Sequence, residues 1–243
     1  MAAGLDPSGG AGLAADVEAL LAVGARALPV ATSLTVQGPA GALRQRPVPW
    51  RLVVEQVEGL LGGRAGGLAA AKTGMLGSAA NAAALARLFE GPLAGLPLVV
   101  DPVLAASSGL SLLEDPRGRP PAELLRGLLA AATVVTPNRP ELAALCGVAE
   151  GAVRSDDDAV EAARALACRA VLVKGGHRRG APLDLLVSGR EVVRFEGRRR
   201  RGTARGTGCR LASALAGLLA AGAPLPQAVR GAKAVVERYL DSR

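Results

Sequence analysis

The residues with chemical potential sit where glycine-rich turns run into helices and where apolar runs stop. Near the C-terminus the chain reads RGTGCRLASALAGLLAAG over 205–222. Gly206, Thr207 and Gly208 leave backbone N–H groups free at the start of an Ala/Leu-rich helix. That is an anion site, suited to the charge that builds on a transferring phosphoryl group. Cys209 stands at the helix mouth, whereas a packing cysteine belongs on the apolar face further in. The same field favours thiolate, so a lowered thiol pKa is expected. The competing reading is a small buried helix-end residue. At the other end of the chain, GLDPSGGAG (4–12) is a second glycine segment that opens a helix. It has no Walker-type GxxxxGK and lacks the strand and spacing of the dinucleotide fingerprint, so alone it identifies no nucleotide fold. Asp16, one turn into that helix, faces either a ligand or solvent.

Further polar residues close apolar runs. Lys72 and Thr73 close LAAAKTGML (68–76), and Asp101 ends LPLVVDPV (96–103). Asn138 ends ATVVTPN (132–138), and Lys174 with Gly175 and Gly176 ends RAVLVKGGH (169–177). One acid, one amide and one lysine at successive strand ends are what a nucleotide-phosphate and metal site needs, and open α/β sheets bind ligands outside the carboxyl ends of their strands. Strand ends are polar in any protein. The repetition along the chain is what favours a site.

To hold these residues together the chain must place parallel strands side by side with helices between them. The runs above, with LPVATSLTV (28–36), are apolar on both faces, as buried parallel strands are. Leu13, Val17, Leu20 and Leu21 share a helical face, as do Ala82, Leu85, Leu88 and Phe89, and Leu211, Leu215, Leu218 and Leu219. Ser155 and three aspartates open a helix near 155–167. DLLVSGREVVRF (184–195) predicts a hairpin at the sheet edge, and the Pro/Gly-rich 114–121 a loop. Alternation over the whole length predicts a single doubly wound α/β domain over residues 1–243.

Composition narrows the function classes. Half the residues are apolar but only 2% are aromatic, so Leu, Val and Ala must fill the core. The net charge of +8 gathers partly in the RRRR run at 198–201. Only Phe195 stands near that run, whereas single-stranded nucleic acid needs stacking aromatics beside its basic groups, so a solvated segment is the expectation and nucleic acid a distant one. No apolar stretch is long enough for a membrane span. The opening MAAGLDPSGG has neither a basic segment nor an apolar segment of secretory type, and the three cysteines have no CxxC spacing. A cytoplasmic protein with reduced thiols is expected.

GLDPSGGAGLAADVEALLAVGA, ATSLTVQ (31–37), KTGML (72–76), VVDPV (99–103), VTPNRPELAAL (135–145), VLVKGGH (171–177) and GTGC (206–209) resemble, in order, the motifs of hydroxymethylpyrimidine/phosphomethylpyrimidine kinases of thiamin biosynthesis. These are members of the ribokinase-like superfamily. The resemblance implies a three-layer α/β/α domain with a mostly parallel central sheet. It also implies ATP and Mg²⁺ as cofactors, a small pyrimidine as substrate and a homodimer. Asp16 and Gln37 would hydrogen-bond the aminopyrimidine, Met75 and Val103 would pack on its ring, and Gly4 would let the backbone come close. Asp101 and Glu141 would help place Mg²⁺ and phosphates, with Asn138 beside them. Lys174 would meet the ATP phosphates, bordered by Gly175 and Gly176. Cys209, behind the Gly206–Thr207–Gly208 turn, would accept or orient the proton of the substrate hydroxyl.

This sequence departs from the family pattern in places. Only Met-Ala-Ala precedes the glycine segment, where relatives carry a full apolar strand, so the expectation is either a native start upstream of Met1 or a trimmed first strand. Leu5, Gly38 and the pair Ala204-Arg205 replace residues common in the family, the last pair standing for Thr-His. The expected activity is ATP-dependent phosphorylation of 4-amino-5-hydroxymethyl-2-methylpyrimidine and its monophosphate. A pyridoxine/pyridoxal kinase and a catalytically degraded pyrimidine- or nucleotide-binding paralogue are the alternatives.

Overall fold

The computed structural model describes residues 1–38, 41–62, 67–106, 108–175, 181–197 and 204–242. In chain order the elements begin with β1 (Ala2–Leu5), α1 (Gly12–Leu21), β2 (Val30–Gly38), β3 (Gly41–Pro47) and α2 (Trp50–Leu61). Next come β4 (Ala71–Thr73), β5 (Gly77–Ser78), α3 (Ala79–Glu90), β6 (Leu98–Val100), β7 (Leu113–Glu114) and α4 (Pro121–Ala131). They continue with β8 (Val134–Val135), α5 (Arg139–Cys146), α6 (Asp156–Ala165) and β9 (Val171–Val173). The last are β10 (Leu183–Ser188), β11 (Glu191–Glu196), α7 (Thr207–Ala220) and α8 (Leu225–Asp241).

The main sheet runs β11-β10-β9-β8-β6-β4-β1-β2-β3. Every pair from β9 through β2 is parallel, and the two ends are antiparallel: β10 and β11 at one side, β3 at the other. The hairpin expected over 184–195 is β10–β11. A short strand runs into the glycine segment. β1 is only four residues long, yet it lies inside the sheet between β4 and β2, with Ala2 and Ala3 buried.

Strand alternation splits the core into two layers. Val100 and Val135 face α2, α3 and α4, while Val99 and Val134 face α1, α7 and α8. Further along, Val171, Val173, Leu185 and Val187 pack on α5 and α6, and Leu172 and Leu186 pack on the α7–α8 side. Helices therefore cover both faces of the sheet.

Helix starts differ in a way that matters for the site. Ser78 caps α3, Ser155 caps α6, and Asn138 and Glu141 form a reciprocal capping box on α5. α1 and α7 begin at Ala11 and Gly206 with no side-chain cap, so their first N–H groups stay open to another acceptor.

Candidate active site

The parallel strands end on one edge of the sheet, and the uncapped starts of α1 and α7 meet there. Gly206 makes this possible. It holds φ 71°, a left-handed conformation, and a Cβ on it would lie 2.2 Å from the Gly10 carbonyl. Only glycine lets the 4–12 loop and the 206–209 turn come so close. Arg210 adds a second tie: buried at 2% exposure, it donates to the Gly10 carbonyl at 3.1 Å, pairs with Glu18 and lies 3.8 Å over the Tyr239 ring.

Above the start of α7 stands a charged cluster. A Cβ on Gly208 would sit 3.2 Å from Lys174 Nζ. Lys174 donates to Asp101 at 2.7 Å and stands 3.6 Å from Glu141. Asp101 also accepts from Thr136 Oγ1 at 3.1 Å. Burial opposes the charge on both Asp101 and Lys174. The neighbouring opposite charges outweigh it, so Asp101 is held below the usual carboxylate range and Lys174 above the usual ammonium range. Glu141 goes the other way: burial, with Asp101 nearby, raises it despite Lys174. Asn138 and Glu141 already serve α5. The Asn138 N–H donates to Glu141 at 2.7 Å, and Asn138 Oδ1 accepts from the Glu141 N–H at 2.8 Å.

A second lysine–aspartate pair lies under the first. Lys72 donates to both oxygens of Asp16 at 2.9 Å, and Ser213 Oγ donates to the same carboxylate at 2.8 Å. Both charged side chains are sealed, at 1% and 0% exposure. Asp16 thus faces neither of the two surroundings expected from sequence: its carboxylate is consumed inside the protein. Lys72, noted in sequence only as a polar strand end, is its partner. Dehydration works against the Lys72 charge, but Asp16 leads the acidic neighbours that raise its pKa.

Cys209 lies between these two pairs, and here one expectation is corrected. The thiol is not pulled toward thiolate. Desolvation of the sulfur, with Asp16 and Asp101 nearby, pushes its pKa up to about 11, although Lys72 and the Gly12 N–H oppose the shift. Dehydration of the anion is the larger effect, so the resting residue is a neutral thiol.

The remaining candidates fall into two groups. On one side, Gly4 meets Met75 so closely that a Cβ would lie 2.6 Å from Sδ. Gln37 accepts weakly from Thr35 Oγ1 at 3.3 Å at the end of β2. Val103 lies half-buried just after Asp101, its N–H bonded to the Asp101 carbonyl. On the other side, the Gly175 N–H donates to Asp184 at 2.8 Å, and Asp184 is held in turn by Lys233. Asp184 and Lys233 escaped the sequence reading, because an acid inside an edge hairpin and a lysine on the last helix carry no motif. Gly176 and the basic run at 198–201 lie outside the described residues.

A family model described as phosphomethylpyrimidine kinase matches residues 6–243. The hydroxymethylpyrimidine/phosphomethylpyrimidine kinase of Streptomyces coelicolor is 39% identical over 249 residues, covering 96% of this chain and 85% of that protein. The chain belongs to the phosphomethylpyrimidine kinase family. Among solved structures, the phosphomethylpyrimidine kinase of Clostridium difficile matches at TM-score 0.79 and 28% identity, covering 98% of this chain and 97% of that one. The Staphylococcus aureus pyridoxal kinase in complex with AMP-PCP and pyridoxal matches at TM-score 0.82 and 28% identity, covering 97% and 85%. The phosphomethylpyrimidine kinase fold here is thus the ribokinase-like three-layer arrangement, with a mostly parallel sheet.

Proposed function

We propose that the chain transfers the γ-phosphoryl group of ATP to 4-amino-5-hydroxymethyl-2-methylpyrimidine and then to the resulting monophosphate, as thiamin biosynthesis requires. The observation that carries this reading is the stacking of Lys174, Asp101 and Cys209 on the open start of α7. The Gly206–Thr207–Gly208 turn offers N–H groups to the equatorial oxygens of the moving phosphoryl group, where charge is stabilised without reorganisation. Lys174 neutralises the same group from above, and Gly175, steadied by Asp184 and Lys233, borders the nucleotide with Asn138 and Gly176. Gly4, Met75, Gln37 and Val103 shape the pyrimidine side. Asp16 reaches a substrate only by giving up Lys72 and Ser213, so its part is to fix the ammonium beneath Cys209.

Cys209, as a neutral thiol, receives the substrate hydroxyl as a hydrogen-bond partner and holds it in line. The thiol stays neutral, and the hydroxyl proton passes to a γ-phosphoryl oxygen as the hydroxyl oxygen bonds to phosphorus. Asp101 and Glu141 would be the oxygen donors for Mg²⁺. Among the described residues there is no cluster of three or more metal-ligating side chains. That fits an ion held by one or two carboxylates, water and phosphate oxygens. Bound there, Mg²⁺ would neutralise phosphate charge.

Leu34, Val36 and Leu43 on the β2–β3 hairpin are 52%, 47% and 75% exposed. A second copy of the chain covers this face in the proposed homodimer, because an isologous contact buries the same apolar patch twice. Leu34→Lys with Leu43→Lys should then yield a monomer in sedimentation. The three free cysteines and the lack, among the described residues, of a helix fit to cross a membrane support a cytoplasmic site of action.

A pyridoxal kinase is the second reading, favoured by the likeness to the S. aureus enzyme. A coupled ADP-release assay with hydroxymethylpyrimidine, its monophosphate and pyridoxal decides between them. Turnover with pyridoxal alone would overturn the first reading.

A further inference from the structure

Arg205 is placed unlike any other cation of the site. Its guanidinium donates to Asp6 Oδ2 at 2.9 Å, to the Gly38 carbonyl at 2.7 Å and to Ser8 Oγ at 3.3 Å. These partners lie on the pyrimidine side: the glycine loop and the end of β2, next to Gln37. Its own carbonyl accepts from Tyr239 and Arg210, which pin its backbone from behind. The side chain nevertheless stays 31% exposed. Of its five N–H donors, the one on Nε and one on Nη2 have no partner among the described residues. Gly206, the first residue of the anion turn, follows it directly.

The two transfers proposed above ask different things of this mouth. In the first, the acceptor is a neutral hydroxyl. Its oxygen bonds to the γ-phosphorus, the bond from that phosphorus to the β-bridging oxygen breaks, ADP leaves with the electron pair, and the hydroxyl proton goes to a γ-phosphoryl oxygen. In the second, the acceptor is a phosphate monoester, which is mostly dianionic at neutral pH because its second pKa is about 6. An acceptor phosphate oxygen attacks the γ-phosphorus, ADP leaves as before, and no proton has to be removed. The difficulty is now repulsion between two anionic phosphates. Lys174 is already engaged by the γ-phosphoryl group, beside Asp101 and Glu141, and Lys72 is sealed against Asp16. Among the described residues, Arg205 is the cation that is held on the acceptor side, exposed, and still has donors to give.

We propose that Arg205 is the ligand of the acceptor phosphate in the second transfer, and that it sets how well the chain uses the monophosphate relative to the hydroxymethyl compound. This rests on the function proposed above. The two transfers then depend on different residues: Cys209 serves the hydroxyl and Arg205 serves the phosphate. A planar fork suits this task better than an ammonium, since it can donate two parallel bonds to one phosphate without leaving Asp6.

The test compares kcat/KM for both acceptors, hydroxymethylpyrimidine and its monophosphate, at saturating ATP. Arg205→Gln should lower the monophosphate value by about 10–100-fold, the range for losing a hydrogen bond to a charged group. The hydroxymethyl value should fall less than about 3-fold. Arg205→Lys should recover part of the loss. Removing the guanidinium takes away the ionic partner of the buried Asp6 carboxylate, leaving it only the Ser8 and Ala11 donors, so Asp6→Asn with Arg205→Gln is the companion variant, which leaves no unpaired charge. It should show the same split. Cys209→Ala should show the reverse split. Equal losses on both acceptors in both Arg205 variants, or a monophosphate value that is unchanged, would assign Arg205 to holding the loops together and overturn the proposal. If the parent turned over neither pyrimidine, the proposed function would fall and this inference with it.

Discussion

Two lysine–aspartate pairs act on Cys209, and they differ in what they leave available. Lys72 donates to both oxygens of Asp16, Ser213 donates to the same carboxylate, and water is excluded. Lys174 and Asp101 are joined as closely, but Lys174 keeps 15% exposure and shares Glu141. The first pair is a closed unit, whose disruption leaves a charge with nowhere to go. The second is an open one, which a phosphate can enter. The contrast separates residues that hold a reactive site in shape from residues that meet the ligand.

The largest effect expected from breaking this arrangement is at the residue between the pairs. Cys209→Ala should reduce hydroxymethyl phosphorylation by about 10²–10⁴-fold in single turnover while ATP binding persists. Cys209→Asp should keep part of the activity. A parent-like rate for the Ala variant would leave Cys209 as packing.

The closed pair should dominate stability. Lys72→Met strands Asp16 and should cost about 3–5 kcal/mol in urea unfolding, whereas Lys72→Met with Asp16→Asn should cost much less. Lys174→Met should instead show its main effect in ATP turnover. If Lys174→Met destabilised the fold as much as Lys72→Met, the distinction between closed and open pairs would fail.

The pairs also predict a pH dependence. Lys72 is raised above its ordinary value, so its contribution is complete below pH ~10.4 and is lost as pH climbs through the higher folded value. Unfolding free energy of the parent should therefore drop between pH 10 and 12 more than that of the Lys72→Met, Asp16→Asn double variant. Parallel curves would remove this role from the pair.

The smallest effect concerns the thiol. Alkylation of Cys209 by iodoacetamide should be slow at pH 7.5 and accelerate toward pH 11, since the thiol sits at about 11. Lys72→Met should slow it further, because the Lys72 charge is what favours thiolate. Peptide mass spectrometry resolves Cys209 from Cys168, whose thiol burial also raises to about 11. Fast labelling at neutral pH would contradict the dehydrated environment.

What the sequence disclosed divides along similar lines. Runs such as LPLVVDPV and RAVLVKGGH announce buried parallel strands, because both of their faces are covered and every residue can be apolar. β3 was missed. GALRQRP is an antiparallel edge whose polar side chains alternate with little regularity, so neither apolar continuity nor clean alternation marks it. At the site, motif residues that begin helices or end strands were legible, since their role is local: Asn138 with Glu141, Gly206 with Cys209. The Asp16–Lys72 pair was not, because 56 residues separate its members and the local pattern allows Asp16 a ligand or water equally. The thiol shift was misjudged for a related reason. The helix start is visible in sequence, whereas the burial of the sulfur and the acids near it, Asp16 and Asp101, come together only in the folded chain.

The ties between the glycine loop and the phosphate-binding turn have a consequence for the protein's synthesis. Arg205 meets Asp6 across 199 positions, and Arg210 meets Gly10 across 200. At roughly 5–20 residues per second a ribosome takes about 10–40 s to cover that distance. For that interval the nascent chain has β1 and its neighbours but no partner for Asp6 or the Gly10 carbonyl. A translation product stopping just short of residue 205 would therefore keep most strands of the sheet and lack the mouth altogether. Its apolar layer would lie open where α7 and α8 should be, which makes such a fragment a target for chaperones and proteases rather than a slow enzyme.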